Sequence, residues 1–132
     1  MKLFTTAVAF AVMGSASLAQ ENLFGDPKFA DMMQDLLIVE YMDNSCDGVS
    51  IQPSSALSVQ EDVDRMVRDA GYEPDEARAI LELPEFADPL REAVANRLAD
   101  MGVQADDPET LCAVAREKTG RGGLIGKLLV RE

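Results

Sequence analysis

The chain contains two cysteines, Cys46 and Cys112, and these are the side chains best suited to covalent chemistry. Thiol oxidoreductases hold two cysteines in a Cys-x-x-Cys arrangement, in which one thiol resolves the mixed disulfide formed by the other. That spacing is absent here. Two distant cysteines in an exported chain most often form a structural disulfide. We therefore expect a bridge between Cys46 and Cys112, with redox catalysis as the functional alternative.

The sequence contains no histidine. Ser-His-Asp and Cys-His nucleophile systems, and zinc or haem sites with histidine ligands, all require an imidazole. Carboxylate pairs such as Asp75-Glu76 and Asp106-Asp107 could take part in acid–base catalysis. At the start of a helix, however, the same carboxylates complement the helix dipole and cap the first turn. We expect no catalytic site and no cofactor, so the protein is not predicted to be an enzyme.

The segment Asp43–Gly48 partly matches a calcium-binding loop, with oxygen ligands at the first, third and fifth places and glycine at the sixth. The twelfth place holds Ser54, where a bidentate glutamate would be needed to complete the oxygen shell. We therefore expect these residues to end a helix and turn the chain, without binding a metal.

An export signal is predicted for residues 1–19. Met1-Lys2 precedes an apolar run from Leu3 to Met13, and the small residues Ser17 and Ala19 stand where a signal peptidase requires them. At about 1.5 Å per residue, this run covers roughly half of a ~30 Å hydrocarbon core. We expect a cleaved signal, a periplasmic location and one helical domain over residues 20–132, with no membrane-spanning segment after cleavage.

Charge is distributed unevenly along the chain. It carries 12 basic and 24 acidic residues, a net charge of −12, so binding to nucleic acid is not expected because phosphates would be repelled. Residues 116–132, however, contain five basic and two acidic residues together with several glycines. This basic glycine-rich tail is the one cationic part of the chain that follows the predicted signal.

The tail has two possible roles. Its cations and apolar residues could form a small amphipathic segment that lies on anionic lipid or on an acidic partner. Alternatively, the apolar residues pack onto the helices while the cations lie near helix C-termini. The candidate interaction residues are Arg116, Lys118, Arg121, Leu124, Ile125, Lys127, Leu128, Leu129 and Arg131.

Apolar periodicity predicts an all-α protein, a small bundle of about five helices. Asp26-Pro27 starts the first and central helix, which ends before Asp47-Gly48, and Ser54 or Ser55 caps the second. Gly71 and Gly102 end the second and fourth helices, and Pro74 starts the third. Pro89 suggests that the regular part of the fourth helix starts late. Asp106-Asp107-Pro108-Glu109 starts the fifth.

Several segments together resemble a family of short exported proteins from alphaproteobacteria, a family without an assigned function. The segments are Tyr41–Cys46, Ala70-Gly71-Tyr72, Asp106–Val114 and Gly126-Lys127-Leu128-Leu129. The resemblance covers most of the chain after the signal and implies a small helical exported protein with a cysteine pair. It brings no catalytic residues.

The sequence thus predicts a non-catalytic interaction protein or envelope-associated protein, with an unknown protein or envelope partner. The alternative is an acid-stress or holdase-like periplasmic chaperone that exposes apolar surface when its carboxylates become protonated. Because the chain has 24 acidic residues and no histidine, such a switch would occur near pH 4.

Overall fold

The computed structural model describes residues 23–132, so the predicted signal at residues 1–19 lies outside the described part of the chain. The elements are, in chain order, α1 (Pro27–Ser45), β1 (Val49–Ile51), α2 (Pro53–Asp69), α3 (Pro74–Leu81), α4 (Pro84–Asp100), α5 (Pro108–Lys118), α6 (Leu124–Leu128) and β2 (Leu129–Arg131). Helices dominate the fold, as the apolar periodicity predicts.

Proline occupies the first position of the five longer helices, where its fixed φ suits the helix and its missing N–H removes no helical hydrogen bond. Two of these starts also carry a side-chain cap. Asp26 accepts a hydrogen bond from the Lys28 amide at 2.9 Å, and Asp107 accepts one from the Glu109 amide at 3.1 Å. Both predicted Asp-Pro helix starts are therefore confirmed.

Glycines end three of the helices or turn the chain just after them. Gly48, Gly71 and Gly102 have φ values of 88°, 94° and 93°, a region that other residues rarely adopt. Gly71 and Gly102 follow α2 and α4 closely, which confirms the two predicted stops. Gly48 lies in the turn after α1 and lets the chain reverse directly into β1.

Two predicted helix boundaries are wrong. Gln52 is the N-cap of α2 and makes no capping hydrogen bond with its side chain, so neither Ser54 nor Ser55 is the cap. Helix α4 begins at Pro84 and continues through Pro89. The helix tolerates Pro89 because the residue lies in an early, solvent-exposed turn, where water can satisfy the carbonyl that the missing N–H leaves free.

A small antiparallel sheet was not predicted. β1 pairs with β2 in the register Val49↔Arg131, Ser50↔Val130 and Ile51↔Leu129. The amide of Glu132 also donates to the carbonyl of Gly48 at 3.0 Å. The end of the chain is thus hydrogen-bonded to the segment that follows the first helix.

Helix α1 is central, as predicted. It packs against α4, α5, α6 and β1, and Ile38 and Met42 are fully buried. Around them lies the main hydrophobic cluster, which also includes Val94 from α4, Ala115 from α5 and Leu128 from α6. One helix therefore supplies the centre of a core to which later parts of the chain contribute.

A second, smaller cluster lies near the start of α1. It contains Leu23, Phe29, Val67, Tyr72 and Ala77. The ring of Phe24 contacts three other aromatic rings, those of Phe29, Tyr72 and Phe86, at centroid distances of 5.8, 5.2 and 5.2 Å. This cluster joins the start of α1 to the α2–α3 turn and the start of α4.

Cys46 and Cys112 form a disulfide, as the sequence predicts. Their Cα atoms lie 5.3 Å apart, and both residues belong to the main hydrophobic cluster. The bond joins the C-cap residue of α1 to the middle of α5. Within residues 23–132, no helix has the length and apolar character needed to cross a membrane.

We expect replacement of both cysteines by serine to reduce the free energy of unfolding by on the order of 4 kcal/mol. The bridge closes a separation of 66 residues, and the chain-entropy estimate for a loop of that length has this size. Urea denaturation of the Cys46→Ser/Cys112→Ser variant would measure the loss, and chemically reduced wild-type protein serves as the control. A loss below about 1 kcal/mol would contradict the prediction.

Candidate binding surface at the C-terminal end

The apolar residues of the tail are part of the core. Ile125, Leu128 and Leu129 are 8%, 2% and 1% exposed and belong to the main hydrophobic cluster, against which Leu124 packs half-buried. The structure therefore has the arrangement in which the tail packs onto the helices. The charged side chains of the tail, by contrast, are exposed or half-buried at the surface.

Three of those cations are brought together. Arg116, Arg121 and Arg131 line an open depression, which we call the arginine bowl, with Ala113, Glu117 and Thr119. The other two cations of the tail, Lys118 and Lys127, do not line it. The sequence predicts a cationic tail, and the structure shows that its three guanidinium groups line the same depression.

Arg131 is held in place by the end of α5. Its Nη2 donates to the carbonyl of Arg116 at 2.9 Å, and its Nε donates to the hydroxyl of Thr119 at 3.3 Å. The Thr119 hydroxyl itself donates to the Arg116 carbonyl at 2.8 Å. A guanidinium carries five N–H donors, so Arg131 keeps spare donors for a ligand while it caps α5.

The other two arginines are less constrained. Arg116 Nη2 lies 3.9 Å from Glu109 Oε2, and both side chains are well exposed, so this ion pair contributes little. Among the described residues, the Arg121 guanidinium has no hydrogen-bond or ion-pair partner. Arg121 therefore presents a full set of donors to solvent.

Arg121 lies in a turn that is packed closely against α6. Its amide donates to Lys118 O at 3.0 Å, and the Gly120 amide donates to Gly126 O at 3.0 Å. A Cβ on Gly126 would collide with the backbone carbonyl of Arg121 and would lie 2.7 Å from Lys118 O. Gly126 thus permits the close approach that fixes the position of the Arg121 turn.

Two residues that help to position the arginines could not be identified from the sequence. Thr119 and Gly126 carry no charge, so neither was a candidate, although both help to arrange the arginines. The signal for Gly126 is a glycine within a short apolar helix, which often marks a close backbone approach. The role of Arg131 depends on the β1–β2 pairing, which three-residue strands do not reveal in sequence.

The other residues with possible chemistry have structural roles in the described part of the chain. Asp43 Oδ1 accepts a hydrogen bond from the Ile51 amide at 3.3 Å and so ties the end of α1 to β1. Asp107 is the N-cap of α5. Within residues 23–132, no group of three or more potential metal-ligating side chains comes together.

Guanidinium groups form planar, bidentate hydrogen bonds with carboxylate and phosphate groups. The arginine bowl can therefore bind an anionic group by direct ion pairing. It contains no nucleophile activated by a base, and its one carboxylate, on Glu117, is exposed. The arrangement is suited to recognition of an anionic partner.

Residues 21–130 match the model of a family described as a family of unknown function, DUF5333. No curated protein and no solved structure shows a significant match to the chain.

We expect Gly126→Ala to reduce the free energy of unfolding by about 1–3 kcal/mol, the usual cost of overpacking a close contact. The added methyl group would push the Arg121 turn away from α6. Gly122→Ala is the matched control, because a Cβ there meets nothing within 4 Å and its φ is not positive. Urea denaturation of both variants tests this, and equal stability of the two would contradict the close packing.

Proposed function

Because this chain belongs to the family of unknown function DUF5333, which carries no activity to transfer, we propose a function from its own surface. The protein is a non-catalytic binding protein that acts outside the cytoplasm and recognises an acidic partner protein through the arginine bowl. The observation that supports this most directly is the convergence of Arg116, Arg121 and Arg131 in one depression of an otherwise acidic protein.

The charge distribution supports an acidic partner. A net charge of −12 would repel acidic molecules from most of the surface, and residues 116–132 provide the exception. The partner is therefore oriented during approach, with its carboxylates directed to the bowl. Such steering affects the association rate and weakens as salt is added.

A protein partner fits better than insertion into anionic lipid. Membrane-surface helices bury apolar side chains in the bilayer, but Ile125, Leu128 and Leu129 are buried in the protein core. Insertion would require these residues to leave the core. Contact through exposed guanidinium groups requires no such rearrangement.

Two observations support action outside the cytoplasm. The disulfide between Cys46 and Cys112 persists in oxidising compartments, whereas cytosolic thiols are kept reduced. The sequence pattern of residues 1–19 predicts an export signal. The periplasm is the compartment that suits both.

The holdase-like chaperone has less support. Large exposed apolar side chains in the described region are Tyr41, Leu57 and Leu83, which lie on α1, on α2 and before α4. Apolar residues scattered singly are normal on protein surfaces and do not form a client-binding patch. A chaperone role would therefore require a conformational change that exposes the core.

Reversing the charge of Arg121 should reduce partner binding by about tenfold or more, since tenfold corresponds to 1.4 kcal/mol. The measurement is crosslinking and capture from native periplasm, with mass spectrometry to quantify the acidic proteins retained by wild type and Arg121→Glu. Arg91→Glu is the matched control, because Arg91 is an exposed arginine on α4 outside the bowl, paired with Asp88 at 3.4 Å. Capture that is unchanged in Arg121→Glu would contradict the proposal.

Anionic vesicles provide the comparison with lipid. We expect wild-type protein to bind its captured partner at moderate salt and to show no retention on phosphatidylglycerol vesicles under the same conditions. Truncation of the tail is unsuitable here, because it would remove Leu128 and Leu129 from the core. Charge reversal leaves these core residues in place.

Export is tested separately. We expect the chain in a cell to be recovered from the periplasmic fraction, cleaved before Gln20, with Cys46 and Cys112 oxidised. Fractionation, N-terminal sequencing and thiol trapping give the three measurements. Recovery of the reduced chain in the cytosol would contradict the proposed location.

A further inference from the structure

The two hydrophobic clusters meet at Val63 but leave an apolar cleft between α1 and α2. Its volume is about 280 Å³. Phe29 and Val67, from the smaller cluster, line it together with Val39, Val59 and Leu128 from the main one. We call this space the interhelical cleft.

The interhelical cleft is large for unfilled apolar space inside a protein. Protein interiors pack as densely as organic crystals, and an apolar cavity of about 150 Å³ is enough to bind benzene. Ligand sites in helical proteins commonly lie between helices and start at about 300 Å³. The cleft therefore has the size of a site for one small apolar group and is too small for two acyl chains.

The chemistry of the walls favours an aliphatic chain. α1 contributes Met33 and Leu36, while α2 contributes Ala56 and Val63 in addition to its buried valines. Phe29 is the one aromatic side chain in the lining. Branched aliphatic and thioether side chains adapt to a flexible chain without selecting for a flat ring.

At the edge formed by α2 and α3, the cleft meets a polar pocket of about 330 Å³. Asp64, Pro74 and Arg78 line both spaces, so they are contiguous. The polar pocket also contains Arg68 and Glu73. An apolar cleft thus lies next to a surface pocket that carries charges of both signs.

The charged groups of the polar pocket are mostly exposed to solvent, and only some of them have a partner within the protein. Arg78 Nη1 donates to Asp75 Oδ1 at 2.9 Å, and Asp64 Oδ1 accepts from Gln60 Nε2 at 2.9 Å. Among the described residues, the side chains of Arg68 and Glu73 have no partner. One cation and one anion in the same pocket are therefore free to pair with a ligand.

We propose that the interhelical cleft and the polar pocket together bind a single-chain amphiphile with a zwitterionic head group, of the lysophospholipid type. The aliphatic chain fills the cleft between α1 and α2. The phosphate of the head group pairs with Arg68, and its ammonium group pairs with Glu73. This site is separate from the arginine bowl and does not depend on the acidic-partner proposal.

The pairing of one unpaired cation and one unpaired anion distinguishes this ligand from a fatty acid or a cationic detergent. The polar pocket holds two arginines and three carboxylates, on Asp64, Glu73 and Asp75. A carboxylate ligand would satisfy an arginine but would add to the negative charge, and a cationic head would leave Arg68 without a partner. A zwitterionic head can satisfy both free side chains at once.

The test uses decylphosphocholine below its micellar concentration, with decanoate and decyltrimethylammonium as head-group controls. Isothermal titration of the oxidised protein should show saturable binding of one decylphosphocholine molecule and about tenfold weaker binding of either control, which corresponds to 1.4 kcal/mol. Absence of saturable binding, or tighter binding of a control, would overturn the proposal.

Two tryptophan substitutions on adjacent residues locate the site. Ala56 lines the cleft, whereas Leu57 is 63% exposed and does not line it. Ala56→Trp should fill the cleft and reduce decylphosphocholine affinity at least about tenfold, while Leu57→Trp should bind as wild type does. Wild-type affinity in Ala56→Trp would exclude the cleft as the site.

A measurement on unmodified protein keeps the test valid if Ala56→Trp does not fold. Methyl NMR during the titration should show nuclear Overhauser contacts from the decyl chain to Val39, Val59 and Val63. Contacts confined to other methyl groups would overturn the proposal. Arg121→Glu should leave this binding unchanged, so failure of the acidic-partner proposal is distinguishable from failure of this one.

Discussion

The disulfide between Cys46 and Cys112 determines how the rest of the structure is arranged. It fixes the end of α1 against the middle of α5, and both sulfur-bearing side chains lie within the main hydrophobic cluster. Immediately after Cys46, the turn at Gly48 sends the chain into β1, which pairs with β2. The covalent bond and the small sheet therefore hold the same end of α1 in two independent ways.

This double attachment fixes the backbone near the C-terminal cations. The apolar side chains of α6 and β2 face the core, so their cationic neighbours are displayed on a fixed backbone. Arg131 gains a defined position from the Thr119 hydroxyl and the end of α5. An anionic partner would therefore meet one guanidinium group, that of Arg131, which is already held in place, whereas those of Arg116 and Arg121 would lose side-chain freedom on binding.

Sequence patterns predicted the parts of the fold that depend on local chemistry. Asp26-Pro27 and the Asp107-Pro108 pair mark helix starts because an Asp side chain can cap a first-turn amide and proline suits the first helical position. Gly71 and Gly102 mark helix ends because only glycine readily adopts positive φ. The pairing of Cys46 with Cys112 could be predicted because an exported chain with two cysteines most often joins them in a structural disulfide. These signals need no knowledge of distant contacts.

The features that sequence could not supply depend on long-range geometry. β1 and β2 contain three residues each, too few for an alternating pattern, and their pairing joins the segment after α1 to the last described residues. The charge count predicted a cationic tail, but only the fold shows that its three arginines line one depression and its two lysines do not. The interhelical cleft depends on the separation of α1 and α2, which apolar periodicity does not encode.

The pairing of β1 with the much later β2 has a consequence for the order in which the chain can fold. Leu128 and Leu129 complete the core, and the strand that contains Leu129 covers the hydrogen-bonding edge of β1. A nascent polypeptide cannot close this core until residues near Arg131 have left the ribosome or the translocation channel. Until then β1 stays unpaired, and chains that terminate before β2 expose a strand edge and apolar surface that proteases can recognise.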